Sequence, residues 1–143
     1  HVDDVPAAFF AAHVAVVAST EPEAFGRAAA EAQAMGCPVI ATAIGAPPET
    51  VRAEPHVPLG ETTGWLVPPG DAAALADRIN TALALMDDER SAIARRARAH
   101  VLRNFSLADM KGATLAVYDQ LIGSNLSGRS SRLERSHSRN AGA

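Results

Sequence analysis

Hydrophobic positions along the chain fall into two recurring patterns. Residues 13–18 (HVAVVA) form an unbroken apolar run of strand length, with Val14, Val16 and Val17 supplying β-branched character. Residues 37–42 (CPVIAT) and 65–67 (WLV) repeat that pattern and predict a second and a third strand. Between the first two runs, residues 25–35 set Phe25, Ala28, Ala29, Ala32 and Met35 at helical spacing and stop at Gly36, a residue suited to closing a helix. Residues 5–12 predict a short helix ahead of the first strand, and residues 48–52 a brief helical turn after the second. Strands that are apolar without alternation are buried on both faces. Separated by helices, they predict the α/β class: a short parallel sheet covered on both sides and joined by right-handed crossovers.

Beyond the third strand the period becomes purely helical. Asp71 is placed to cap a helix whose Leu75, Ile79, Ala82, Leu83 and Met86 share a face, and Asp87-Asp88 separate it from another helix reaching about residue 103. Ser106 with Asp109 three residues on resembles a capping box. The helix it opens carries Met110, Thr114, Val117, Tyr118 and Leu121 on one face and should end near Gly123. From Gly123 onward Ser, Arg, Gly and Asn dominate, too little apolar material to offset the entropy of ordering, so residues 123–143 are expected to be a disordered tail. Its Arg129, Arg132, Arg135 and Arg139 against Glu134 make it basic, a composition that can favour an anionic membrane surface. A solvated tail is the simpler account.

Composition narrows the function classes. With 143 residues, 48% hydrophobic and 20% charged, one globular domain with a real core is expected. A formal charge of −3 offers no extended positive field, so a nucleic-acid partner is not expected. Cys37 is the single cysteine, so no internal disulfide can form. A buried packing role is expected for it, and a reducing, cytoplasmic compartment fits. No apolar stretch approaches the roughly 20 residues that span a bilayer, and no leader pattern precedes the first helix. The chain opens at His1, directly into a helix, as expected of a chain lacking its natural beginning.

Open parallel sheets bind ligands beyond the carboxyl ends of their strands, which directs attention to STEPEAFG after the first strand and AIGAPPE after the second. At the first, a helix starts around Phe25-Gly26, and its unpaired amides and positive dipole end suit a phosphate, with Gly26 allowing close backbone approach. Glu23 falls in the loop, whereas Glu31 lies nearly two turns inside the helix, among alanines. Two vicinal ribose hydroxyls would satisfy a carboxylate at Glu31. An Arg27–Glu31 ion pair one turn apart satisfies it equally well, and spacing alone does not choose. Asp3-Asp4 and Asp87-Asp88 read as helix-end and turn residues, lacking the spacing of a metal motif. His13 reads as a core or edge group of its strand, and His1, His56, His100 and His137 are scattered without ligand spacing. No G-x-S-x-G nucleophile elbow occurs, and hydrolase chemistry has no support.

The string EPEAFGRAAAEAQAMGCPVIAT, followed by Gly45, Glu49, GWLVPPGD and the closing FSL, Met110 and YDQLI, resembles the C-terminal domain of family 4 glycosyltransferases over residues 2–122. The motif is two glutamates with seven residues between them, Glu23 and Glu31, an intervening Phe-Gly and a following G-x-P-V-I strand. The resemblance implies a partial Rossmann-like, three-layer α/β/α fold, the second half of a GT-B C-terminal domain. Residues 1–122 would form this nucleotide-sugar-binding domain, truncated at its N-terminus. It implies a retaining hexosyltransferase that moves a sugar from a UDP- or GDP-hexose to a glycan or lipid-linked acceptor, as in polysaccharide biosynthesis.

In that scheme Glu23 is the catalytic-site residue near the donor sugar, and Glu31 holds the ribose. The amides of Ala24, Phe25 and Gly26 meet sugar and diphosphate, and Thr42 and Val67, with Pro68, help hold the base. No metal or other cofactor is implied. The acceptor would sit on a separate N-terminal domain, absent here along with the half-domain carrying the family's Arg and Lys, so this chain alone is expected to be inactive. A location in the cytoplasm or at the inner membrane surface follows. The alternative is a non-catalytic module that binds a nucleotide sugar or serves in an interaction.

Overall fold

The computed structural model describes residues 3–128. The chain divides into two compact units, one ending at Arg103 and one beginning at Asn104. The first opens with α1 (Val5–Ala11), where Asp4 Oδ1 accepts the Ala7 amide at 3.0 Å and a proline occupies the first turn, where an amide would have no helical partner. Strands β1 (Ala15–Val17), β2 (Val39–Thr42) and β3 (Gly64–Val67) form one parallel sheet in the order β1-β2-β3, with Ala15 opposite Val39 and Ile40 opposite Trp65. Helix α2 (Arg27–Ala34) joins the first two strands, and α3 (Pro47–Thr50) lies between the second and third. Helices α4 (Ala72–Leu83) and α5 (Asp87–Asn104) follow.

Alternation along β2 builds the two sides of the core. Val39 and Ala41 pack with Ala29, Ala32, Cys37 and Val51, while Ile40 packs with Val67 and Ala82, closed in by Trp65, Leu75 and Ile79. The sheet is thereby covered by α2 on one face and α4 on the other, the expected three-layer α/β arrangement. Burial raises the Cys37 thiol above its ordinary pKa, consistent with a packing role.

Three expectations are corrected. β1 was expected to be buried on both faces, yet only Ala15 is, and Val16 is 44% exposed. It is an edge strand, whereas central β2 is buried at every position. The buried face of α2 is Ala29, Ala30, Ala32 and Gln33, and both Phe25 and Ala28 point outward. Gln33 reaches the core because its amide nitrogen donates to the Ala29 carbonyl at 3.2 Å and the Thr50 carbonyl at 3.0 Å, stitching α2 to α3. On α4, Ala82 is buried but Leu83 is exposed, as is Met86 just beyond it.

In the second unit α6 (Leu107–Ile122) starts at the expected Ser106 N-cap, with Asp109 bonded to the Ser106 hydroxyl in place of the backbone amide of a full capping box. Ser106 Oγ accepts the Asp109 amide at 3.0 Å and donates to Asp109 Oδ2 at 2.7 Å, and Gly123 closes the helix at φ 64°. Its predicted apolar face, including Met110, Val117, Tyr118 and Leu121, is exposed. Asp119 gathers the following turn, accepting from the Ser124 hydroxyl at 2.6 Å and from the Leu126 and Ser127 amides at 2.6 and 3.0 Å. The Ser124 and Ser127 hydroxyls, with those amides, hold its carboxyl well below the usual range. Residues 126–128 are helical. Residues 129–143 of the expected tail, with its arginines, lie outside the described residues.

Candidate functional site

At the carboxyl edge of the sheet the loops after β1 and β2 are held together by backbone. Glu23 and Gly45 form an isolated parallel bridge, and the Ala46 amide donates to the Glu23 carbonyl at 2.9 Å. Gly45 sits at φ 71°, and a Cβ there would lie 2.5 Å from both the amide nitrogen and the carbonyl oxygen of Glu23. Only glycine permits that approach. The Ser19 hydroxyl donates to Glu23 Oε1, so the half-buried Glu23 side chain is tied back to the start of its own loop.

Gly26 forms the N-cap of α2 in the left-handed region, φ 70° and ψ 48°, and no side chain caps the helix. Its turn therefore begins with amides that no side-chain oxygen satisfies, the condition under which a helix start receives an anion. Ala24 and Phe25, immediately before it, are exposed. Inside the helix Glu31 adopts the ion-pair arrangement. Arg27 donates to its Oε1 through Nη2 at 2.9 Å and Nε at 3.3 Å, on side chains that are 82% and 47% exposed.

Thr42 and Val67, at the ends of β2 and β3, line one pocket of about 160 Å³ with Ala18, Thr20, Pro68 and the N-terminus of α4. The Thr42 hydroxyl donates to the Ser19 carbonyl at 2.8 Å, fixing the pocket wall to the same loop that carries Glu23. Asp71, a residue of that wall, caps α4 by accepting the Ala74 amide at 2.9 Å. The sequence pattern assigns Asp71 only as a cap, places Thr20 in the STEPEAFG loop without a role, and does not connect Gly70 or Leu75 with the site. The one available signal was that PPGD follows the third strand on the ligand-binding edge. The structure thus brings Glu23, Gly26 and Thr42 onto one loop framework and sets Thr42 beside Val67. Neither Glu23 nor Glu31 is part of the pocket lining.

Among the described residues no group of three or more His, Cys, Asp or Glu is placed to hold a metal ion, and no helix is long and apolar enough to cross a membrane.

The profile of the family described as glycosyl transferases group 1 matches residues 1–100. D-inositol 3-phosphate glycosyltransferase of Mycobacterium tuberculosis (strain ATCC 25618 / H37Rv) is 37% identical over 120 residues, 84% of this chain and 23% of that protein. The chain therefore spans about a quarter of the length of the curated relatives it matches. Among solved structures, a glycosyltransferase from Rickettsia africae ESF-5 superposes with a TM-score of 0.76 at 34% identity, over 87% of this chain and 31% of the other. Anabaena HepE, solved in complex with UDP and glucose, superposes at 0.71 with 29% identity, over 83% and 30%.

Proposed function

From the membership of this chain in the group 1 glycosyl transferases, and from the loop geometry at its sheet edge, we propose that it supplies the donor-binding part of a retaining, family 4 hexosyltransferase. The donor is a UDP- or GDP-hexose, and the acceptor a glycan or lipid-linked sugar held by another part of the whole enzyme. The similar Anabaena protein was solved in complex with UDP and glucose, which supports a nucleotide-diphosphate ligand here. The reaction is placed at the cytoplasmic side, with no metal or cofactor taking part.

The observation that carries this reading is the uncapped, glycine-started α2 set against the Glu23–Gly45 bridge. As the bond between sugar and phosphate breaks, negative charge grows on the diphosphate and the sugar becomes oxocarbenium-like. Fixed amides at Ala24, Phe25 and Gly26 stabilise the first, and the Glu23 carboxylate faces the second. Thr42 and Val67 bound the pocket assigned to the base, whose apolar wall suits a flat ring. Glu31 is assigned to the ribose. An ionised carboxylate accepts about four hydrogen bonds, so the two from Arg27 leave room for a diol.

Calorimetric titration of the chain with UDP- and GDP-sugars tests this. Saturable heat with one nucleotide class is expected. Glu31→Ala should weaken it tenfold or more, since bonds to a charged acceptor are worth about 1.5–3 kcal/mol. Arg27→Ala, which breaks only the exposed pair, should change it little. Absence of heat with every donor, or full affinity in Glu31→Ala, would sink the assignment. A binding module without transfer chemistry would give the same heats but no product when the whole enzyme is supplied with donor and acceptor.

A further inference from the structure

The opposite edge of the sheet, where the strands begin, carries a second pocket of about 160 Å³. One wall is a stripe of α5: Arg96, Ala99, His100 and Arg103, spaced to share one helix face. The facing wall is Arg52, Gly60, Glu61 and Thr63, the last residue before β3. Two short side chains open the space between the walls. Ala99 interrupts the cationic stripe, and a Cβ at Gly60 would meet nothing within 4 Å.

Backbone bonds hold two of the three arginines, Arg96 at its guanidinium and Arg52 at its main chain. Arg96 Nε donates to the Thr62 carbonyl at 2.8 Å. Arg52 is held at its main chain, its amide donating to Thr63 Oγ1 at 3.0 Å while its carbonyl accepts the Thr63 amide at 2.8 Å. Arg52 also pairs with Glu61. Arg103 is exposed and, among the described residues, has no ion-pair partner. Three guanidiniums face one carboxylate, an excess of two positive charges in a chain whose net charge is −3.

We propose that this pocket is a second anion site, separate from the donor edge, which takes a phosphate group through Arg52, Arg96 and Arg103. Planar guanidinium forks match phosphate oxygens bidentately, and Arg96 and Arg52, already held by the Thr62 carbonyl and by Glu61, lose little side-chain freedom on binding. Glu61 is the resident competitor, holding Arg52 until an anion arrives. His100 reports on the site. Burial first, then Arg52 and Arg103, lower its pKa, against the raising effect of its hydrogen bond to the Thr50 backbone. The groups facing it are thus Arg52 and Glu61 from one wall and Arg96 and Arg103 from its own helix. An anion among these cations should raise the pKa of the imidazole.

The test is titration of the full chain with inorganic phosphate at constant ionic strength, following the His100 imidazole resonances by NMR. A saturable shift is expected, with the apparent His100 pKa higher in phosphate than in chloride. Arg103→Gln, at an exposed position where folding should not depend on it, should weaken binding tenfold or more. Glu61→Gln should tighten it several-fold, a change of opposite sign that loss of structure cannot imitate. Glu31→Ala should leave it unchanged. A linear, unsaturable response, or equal affinity in wild type and Arg103→Gln, overturns the site. Vesicles identify the source of the phosphate. Sedimentation with phosphatidylglycerol but not phosphatidylcholine, lost in Arg103→Gln, assigns a lipid headgroup. Phosphate binding without Arg103-dependent sedimentation assigns a soluble phosphorylated compound.

Discussion

The two edges of the sheet present opposite chemistry to the phosphate proposed at each. At the carboxyl edge the charge-bearing side chains are carboxylates, Glu23 and Asp71, and the attraction proposed for phosphate comes from backbone amides at the uncapped start of α2, where Gly26 sits at positive φ beside the loop pairing that Gly45 permits. At the amino edge the attraction comes from side chains, Arg52, Arg96 and Arg103. The difference predicts separable sensitivities. A site made of backbone conformation fails by losing its fold, because its working parts are the loop geometry itself. One made of long side chains on a helix surface fails by losing ligand while the fold persists.

The sharpest way to break that contrast is Gly45→Ala. The added Cβ would meet Glu23 backbone on two sides at 2.5 Å, with no flexible side-chain end to give way, at a φ that L-residues rarely adopt. Strain and displacement of the loop should together destabilise the chain by on the order of 3 kcal/mol in urea unfolding. A loss no larger than that of an exposed surface substitution would show that the loop pairing is not structurally required. Gly26→Ala should be milder. Its φ is 70°, but the nearest atom to the new Cβ is Pro47 Cγ at 3.4 Å, an ordinary contact, so only the left-handed penalty of roughly 1–2 kcal/mol applies. Were Gly26→Ala to exceed Gly45→Ala, the ranking of the two glycines by contact would be wrong.

How much of this was legible beforehand follows the range of the forces involved. Strand runs, the Asp71 cap, the Ser106–Asp109 box and the Gly123 stop are short-range features, and each stands where the pattern put it. Gln33 was illegible because polarity assigns it to solvent. What buries it is a carbonyl seventeen positions away, at Thr50, which a single helix cannot reveal. Exposure of Val16 depended on β1 being at the edge, a matter of strand order and not of composition. At the candidate site the glycines and acids were visible as a motif, but the choice between a ribose contact and an ion pair at Glu31 was not. The structure forms the pair, and the ribose role stays a proposal. The amino-edge pocket left almost no trace, because Arg96, His100 and Arg103 look like a solvated helix face until the loop at Arg52 is folded over them.

The smallest effect concerns His100 and pH. Its folded pKa lies below 6.5, mainly through burial and secondarily through Arg52 and Arg103. The unfolded chain, with an ordinary imidazole, therefore binds the proton more readily. Between the two pKa values the unfolded state holds more protons, so stability must rise with pH there. This contribution is complete above about pH 6.5 and is lost as pH falls through the folded value. The ring is half-buried and only one group is involved, which keeps the slope shallow. Melting temperatures measured from pH 7.5 down to 5 should fall in the wild type and fall less in His100→Gln, with the two curves converging again when phosphate is added. Parallel curves in both buffers would mean that the cations of α5 and Arg52 exert no field on the imidazole, and the distinction between a backbone edge and a charged edge would lose its electrostatic half.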